Sequence, residues 1–443
     1  MIDRLLTAFA ILVIAATTSN AATWTVGPSG ADYKLIAPAI AAAADGDVIE
    51  VHGGVYREQL VIDKVLRIVG IDWPVLRGTG LGTVVKVVAD GSEVSGFVIE
   101  DSGTGQTNAM DAGIHVASNR NRIAGNLLRR VFYGVVVTNA TRNEIVDNEI
   151  HGLRDLPFGR RGDGIYLYRA PESVVAGNRI TGQRDAIYFQ YAPRGRAMDN
   201  VVSDSRYGLH DMFSDDTLIA RNEFRDSAVG ANVMNSRRIR LENNRLLRNR
   251  GVPGVGLAIK DCDDSIVREN TIAENARGLL LDGSSTNQFA GNVFRWNDTA
   301  LTLFSSAEGN AFGSNAFDGN WSDVVISGRD ASTRWSIDGR GNRWDRYRGF
   351  DFDDDGIGDT PHPVVGAFER IEGANPAVRL FLRSPAAAGL ELAARLQGAM
   401  GSAAADESPL TPSTPRPQPK AKPVSALLLL AAIALAINWR RTC

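Results

Sequence analysis

Short apolar runs recur along the central part of this chain, each opened by a glycine or an alanine. Gly113-Ile-His-Val, Gly134-Val-Val-Val, Gly164-Ile-Tyr-Leu, Ala186-Ile-Tyr-Phe and Gly208-Leu-His-Asp are five of them, and Gly230, Gly256, Gly278 and Ala300 open four more. The residues one and three places after the opener are almost always apolar. Alternation along a strand turns those two inward and the residues two and four places after it outward. A second series runs in phase. Asn126, Asn148, Asn178, Asn200, Asn222, Asn244, Asn270, Asn292 and Asn315 each stand two residues before an apolar residue, from Leu128 to Phe317.

The asparagines are 22, 30, 22, 22, 22, 26, 22 and 23 residues apart. A fixed period in this range, with at least two short strands per repeat, predicts an all-β right-handed parallel β-helix. Corresponding strands of successive coils would stack in parallel about 4.8 Å apart. Asparagine suits the corners, because it tolerates left-handed backbone and its amide can bond to the asparagine of the next coil. The ruler asparagines are therefore read as structural. The two long intervals contain Leu153–Gly162 and Arg250–Gly254, expected as surface loops where a partner could bind.

An open solenoid needs caps. Asp32–Ala44 has the spacing of a short amphipathic helix ahead of a strand at Val48–Val51, and is expected to cap the N-terminal end. Asn375–Gln397 has helical spacing interrupted by Pro385, which predicts two helices at the other end. The β-helix domain is placed at 23–365 and the C-terminal helical region at 366–400. A Pro-rich linker is placed at 401–423.

Both termini read as address signals. Residues 1–22 resemble a secretory signal peptide, with Arg4, an apolar stretch and the small residues Ser19-Asn20-Ala21 near the cleavage point. Val424–Ile437 is apolar apart from Ser425 and is followed by Asn438-Trp439-Arg440-Arg441. A helix over 424–439 is expected to anchor the body to the inner membrane from the periplasmic side; a processed sorting tail is the alternative. Cys262 and Cys443 lie on opposite sides of this segment, so no structural disulfide is expected. The net charge of −3 and pI near 6.0 exclude a phosphate-backbone binder, and no nucleic-acid partner is expected.

Three constellations could carry chemistry. On the outward columns His210 and Met212 share one strand face, and Met234 falls beside Met212 one coil along. Tyr166, Tyr168 and Tyr188 flank them. The chain has only six methionines and five histidines. Imidazole with thioethers suits Cu(I), and a patch meeting a partner protein is the alternative. Asp211 occupies an inward slot. A local bulge there would bring Asp211, Ser214 and Asp215 to the same site. The second constellation is Asp351, Asp353, Asp355, Gly356 and Asp359, which has the start of a calcium loop, although His362 stands where the twelfth-position glutamate belongs. The third is Asp163, Arg184 and Asp185, the candidates for acid–base work on an acidic polysaccharide. They form no clear acid–base pair in the column map. The chain has no nucleotide-binding motif, nucleophile elbow or zinc-spaced Cys/His set.

Gly208-Leu-His-Asp-Met-Phe-Ser-Asp-Asp216, preceded by Arg206-Tyr207, resembles the G-x-H-x-M-x-S strand of NosD-type proteins. Gly341-Asn-Arg-Trp344-Asp-Arg-Tyr347 with Asp351–Pro361 resembles the ending of the same family, and Phe381-Leu-Arg-Ser-Pro385 its C-terminal helical region. Asp211 departs from the pattern, standing where an aromatic residue is usual. These are periplasmic β-helix subunits required to mature nitrous oxide reductase. The resemblance covers about residues 23–420 and implies a non-enzymatic accessory role beside an ABC-type ATPase and its membrane permease. Copper would arrive from a periplasmic copper lipoprotein and leave to the apo-reductase. His210, Met212 and Met234 would hold it transiently, as Cu(I). The rival readings are a polysaccharide lyase or epimerase, and a docking protein that orders the reductase without touching copper.

Overall fold

In the computed structural model, residues 21–105, 110–328, 332–382, 384–396 and 404–411 are described. The expected signal peptide and the expected membrane helix at 424–439 lie outside them. No helix among the described residues is long and apolar enough to cross a membrane.

The chain winds into a parallel β-solenoid of three sheets, of 13, 12 and 13 strands. Each coil contributes one strand to each sheet, and every neighbour in these sheets is parallel and one coil away, as between Tyr207–Met212 and Val229–Met234. The longest strands, mostly six residues, form the 12-stranded sheet, and most begin one residue before the Gly/Ala opener. The opener is small because the next coil lies directly against it. A Cβ on Gly208 would collide with the carbonyl oxygen of Gly230 and press on Phe224 inside the helix. The interior is a continuous column of buried Val, Ile, Leu, Phe and Ala, including Leu209, Phe224, Ala231 and Leu257.

The ruler asparagines are buried at one corner and joined into a ladder. The Nδ2 of Asn126 donates to Oδ1 of Asn148 at 3.1 Å, and the backbone N–H of Asn126 donates to the same oxygen at 3.0 Å. The pattern repeats through Asn178, Asn200, Asn222, Asn244, Asn270, Asn292 and Asn315 to Asn342. Each amide satisfies buried backbone that the turn would otherwise leave unpaired. One detail corrects the sequence reading: the left-handed residue is the one before the asparagine, as at Asp147, Asp199, Arg221 and Asn243.

The N-terminal cap is shorter than expected. Helix α1 spans Ile36–Ala42 and buries Ile36, Ala39 and Ile40 against the first coils. The Glu58 carboxylate accepts from the backbone N–H groups of Ile36 and Ala37, filling two of the donors a helix start leaves open. At the far end helix α2 (Ala367–Ala374) packs on the last long strand, Ser322–Ser327. The hydroxyl of Ser322 donates to Glu369 there. A 3₁₀ segment at Pro376–Phe381 and helix α3 (Pro385–Leu396) follow. Pro385 opens α3 rather than interrupting a helix, since the first helical position needs no N–H.

The expectation of a linker from residue 401 is corrected at its start. Residues 404–411 turn back onto the last coil, where Ala405–Asp406 pairs antiparallel with His362–Pro363. Asp406 is fully buried. It accepts from the backbone N–H of Asn342 at 2.7 Å and from the Trp344 indole at 2.9 Å. The asparagine ladder therefore ends on an aspartate supplied from 64 residues downstream.

Candidate functional site

The outer face of the 12-stranded sheet carries the residues singled out from the sequence. Parallel register sets Tyr166, Tyr188, His210 and Asn232 in one row, and Tyr168, Gln190, Met212, Met234 and Lys260 in the next. Met212 and Met234 are direct neighbours on adjacent coils, each partly exposed. Tyr166 stacks on Tyr188 with centroids 5.0 Å apart, and Tyr188 stacks on His210 at 4.3 Å. The ring of Tyr207 packs nearly perpendicular to the imidazole, with centroids 5.0 Å apart.

This stacking changes one expectation. An outward column predicts an exposed His210, but the residue is only 8% exposed, because flat rings one coil apart cover each other. Its Nδ1 lies 3.1 Å from Oδ2 of Asp185, and its Nε2 is buried without a hydrogen-bond partner among the described residues. The sulfur of Met212 accepts from the hydroxyl of Tyr188 at 3.7 Å. Beyond the two methionines, the rings of Tyr191 and Phe213 stack 5.0 Å apart on the turn that follows these strands, and both are exposed.

The expected bulge at Asp211 does not form. The strand runs unbroken through Met212, and Asp211 points into the core, in register with Phe189 and Val233. Ser236 donates to it at 3.0 Å, yet burial dominates and pushes its carboxyl up to about 8. Ser214 is buried in the turn, donating to the Met212 carbonyl, and Asp215 accepts from the backbone N–H of Arg237 at the surface. None of the three converges on His210.

Asp163 and Asp185 are buried beneath the tyrosines, and each is held by an arginine fork. Arg184 donates to both oxygens of Asp163 at 2.9 and 2.7 Å; Arg206 does the same to Asp185 at 2.8 and 2.7 Å. Burial and the neighbouring Asp185 raise the Asp163 carboxyl. For Asp185 burial acts upward, but the His210 hydrogen bond and Arg206 outweigh it and hold the group below the ordinary carboxylate range. Sequence reading placed Asp185 in a hydrolytic or eliminating role and missed its contact with His210. The signal was in the repeat: Asp163 and Asp185 both stand immediately before the opener, with Arg184 and Arg206 supplied one coil later.

In the acidic loop, carboxylate oxygens of Asp351, Asp353 and Asp359 all lie within 4.8 Å of one another. Gly356 takes a left-handed turn (φ 84°) and donates its N–H to Asp351 at 3.1 Å, a geometry that closes the loop around its acids. Thr411, on the returning segment, donates to the same oxygen of Asp351. Asp355 is not part of the group; its carboxylate accepts from the backbone N–H of Ile357. His362 turns away and stacks on Trp344. Three converging hard oxygen donors fit Ca²⁺ and not a soft ion.

The fold and this face define the class: a right-handed parallel β-helix protein with an imidazole and two thioethers on the sheet built from its longest strands. Comparison with known proteins goes further. Residues 87–210 match the family described as right handed beta helix region, and residues 152–349 match the family described as periplasmic copper-binding protein (NosD). The chain is 29% identical over 360 residues to the "Probable ABC transporter binding protein NosD" of Pseudomonas aeruginosa, covering 77% of this chain and 83% of that one. It is 27% identical over 350 residues to the protein of the same name from Stutzerimonas stutzeri, covering 75% and 79%. The chain is thus similar to NosD-type β-helix proteins, a family described as periplasmic. Among solved structures, a family 28 exopolygalacturonase of Yersinia enterocolitica aligns at TM-score 0.53 and 12% identity, covering 71% of this chain and 78% of that one. A GH87 α-1,3-glucanase of Streptomyces thermodiastaticus aligns at 0.53 and 16%, covering 75% and 70%. At these identities the two share the solenoid fold alone.

Proposed function

We propose that this protein is a periplasmic accessory factor that binds and passes on copper during maturation of the nitrous oxide reductase copper centre. The observation that carries this reading is the register pairing of Met212 with Met234 on the sheet face that also carries His210, whose Nε2 is buried and has no hydrogen-bond partner among the described residues. One imidazole nitrogen and two thioethers suit Cu(I), which takes soft ligands in low coordination number. The thioethers are reachable from outside, as transfer of a cargo ion requires. Tyr191 and Phe213 border them and supply the apolar ground on which a periplasmic copper lipoprotein or the apo-reductase would dock. An ABC-type ATPase and its permease are the expected energy source and membrane partner, a reading supported by the names of the relatives. The tail at 424–439 would hold the body near that permease. The acidic loop, with Asp351, Asp353 and Asp359, would hold structural calcium.

The enzyme reading finds less support, because Arg184 and Arg206 occupy both oxygens of the candidate carboxylates. Anaerobic titration with Cu(I) against a chromogenic chelator tests the proposal. Wild-type protein should take up Cu(I), and His210→Ala, Met212→Leu and Met234→Leu should each weaken it about tenfold or more. Equal binding in all three variants would remove this site. Depolymerisation or epimerisation of a uronic-acid polymer would overturn the accessory role.

A further inference from the structure

We infer that Asp185 and Tyr188 are positioning residues for this site: Asp185 fixes His210 in the tautomer that leaves Nε2 free, and Tyr188 latches the sulfur of Met212 until metal arrives. The inference rests on the copper reading only in naming what Nε2 and the sulfur would take.

The tautomer follows from the donors around Asp185. Arg206 donates to both of its oxygens, and the imidazole Nδ1 lies 3.1 Å from Oδ2. An ionised carboxylate has no proton to give, so Nδ1 must carry the hydrogen. On the other nitrogen, a proton would be a buried donor with no partner, which costs more than a buried lone pair. The stack on Tyr188, 4.3 Å away and 5° from parallel, holds the plane of the ring, and a 180° flip within that plane would put Cδ2 where Nδ1 meets Asp185 and lose the hydrogen bond. A carboxylate on the far nitrogen of a metal-binding histidine fixes ring orientation and raises ligand basicity. In this chain the carboxylate comes from the strand one coil earlier, so the site is built only once two coils have stacked.

Tyr188 acts on the other ligand. Its ring covers His210, and its hydroxyl reaches over to Met212, donating to the sulfur at 3.7 Å. A thioether sulfur is a weak acceptor. This contact therefore holds the methionine in one rotamer but yields readily to a cation. The same side chain thus caps one ligand and occupies the other.

The test uses full-length protein carrying ¹⁵N-labelled histidine. Five histidines make the spectrum tractable, and a His210→Ala sample assigns the signal. In metal-free wild type, long-range ¹H–¹⁵N spectra should show His210 protonated at Nδ1. Asp185→Asn, whose amide can donate to Nδ1, should move proton density to Nε2 and weaken Cu(I) binding about ten- to a hundredfold. Tyr188→Phe keeps the ring and frees the sulfur, so Cu(I) should bind faster and more tightly. An Nε2-protonated His210 in wild type, a spectrum that Asp185→Asn leaves unmoved, or unchanged or weaker Cu(I) binding by Tyr188→Phe would overturn the inference. If Asp185→Asn fails to fold by circular dichroism, the wild-type tautomer and the Tyr188→Phe titration still decide it. Absence of Cu(I) binding by wild type alongside an Nδ1-protonated His210 would sink the copper reading and the latch while leaving the role of Asp185 in place.

Discussion

The imidazole of His210 lies flat against the ring of Tyr188, with centroids 4.3 Å apart and planes within 5°. Two strands of successive coils can hold such a pair because parallel stacking repeats every outward side chain at nearly the same spacing. Tyr166 extends the same stack by another coil. The surface of this sheet is consequently much drier around His210 than a single exposed strand would be.

Removing the ring should therefore affect both stability and the histidine. Tyr188→Ala is expected to lose about 3 kcal/mol, from the buried aromatic surface and its stacking. Urea unfolding measures the loss. A change below about 0.5 kcal/mol would mean that the stack is not a fixed part of the native state.

Asp211 provides a pH signature. Its folded carboxyl is pushed up to about 8 by burial, against the ordinary carboxylate range in the unfolded chain. The group favours the fold while protonated, so stability is highest below the unfolded value and falls as pH rises towards 8. The loss amounts to a few kcal/mol, levelling off above that pH. Asp211→Asn should flatten this dependence, and melting temperatures at pH 5.5 and 8.5 should then agree more closely than in wild type. An equal pH dependence in both proteins would assign it to other groups.

The ladder's end should matter as much as its middle. Asp406 accepts from Asn342 and from the Trp344 indole, so Asp406→Ala leaves both donors buried and unpaired. A loss of about 2–4 kcal/mol is expected from two orphaned donors. Hydrogen exchange should show the protection of the last coil falling before that of coils near Asn200. Uniform loss along the solenoid would argue against a local seal.

Calcium, if held by Asp351, Asp353 and Asp359, should stabilise the C-terminal end. At a free concentration a hundred times the dissociation constant, the gain is about 2.7 kcal/mol. Differential scanning calorimetry with and without Ca²⁺ measures it. Asp351→Asn should abolish the shift, whereas Asp355→Asn should reduce it far less, because Asp355 stands apart from the group. Equal effects of the two substitutions would mean that the loop rearranges around the ion.

The sequence by itself determined the solenoid and its phase. A 22-residue interval leaves little choice of architecture, since each repeat can bury its apolar rows only against the next, and the phase places Met212 beside Met234. What it left open depends on contacts between coils or across long separations. The apolar–polar alternation marks His210 as outward but does not reveal that Tyr188 covers it. It places Asp211 in an inward slot, and only the unbroken strand shows that a carboxyl stays there without a bulge. The Asp185–His210 contact joins residues 25 apart, and Asp406 reaches Asn342 across 64. Periodicity reports which way a side chain faces; tertiary packing alone decides which partner it meets and how much water remains around it.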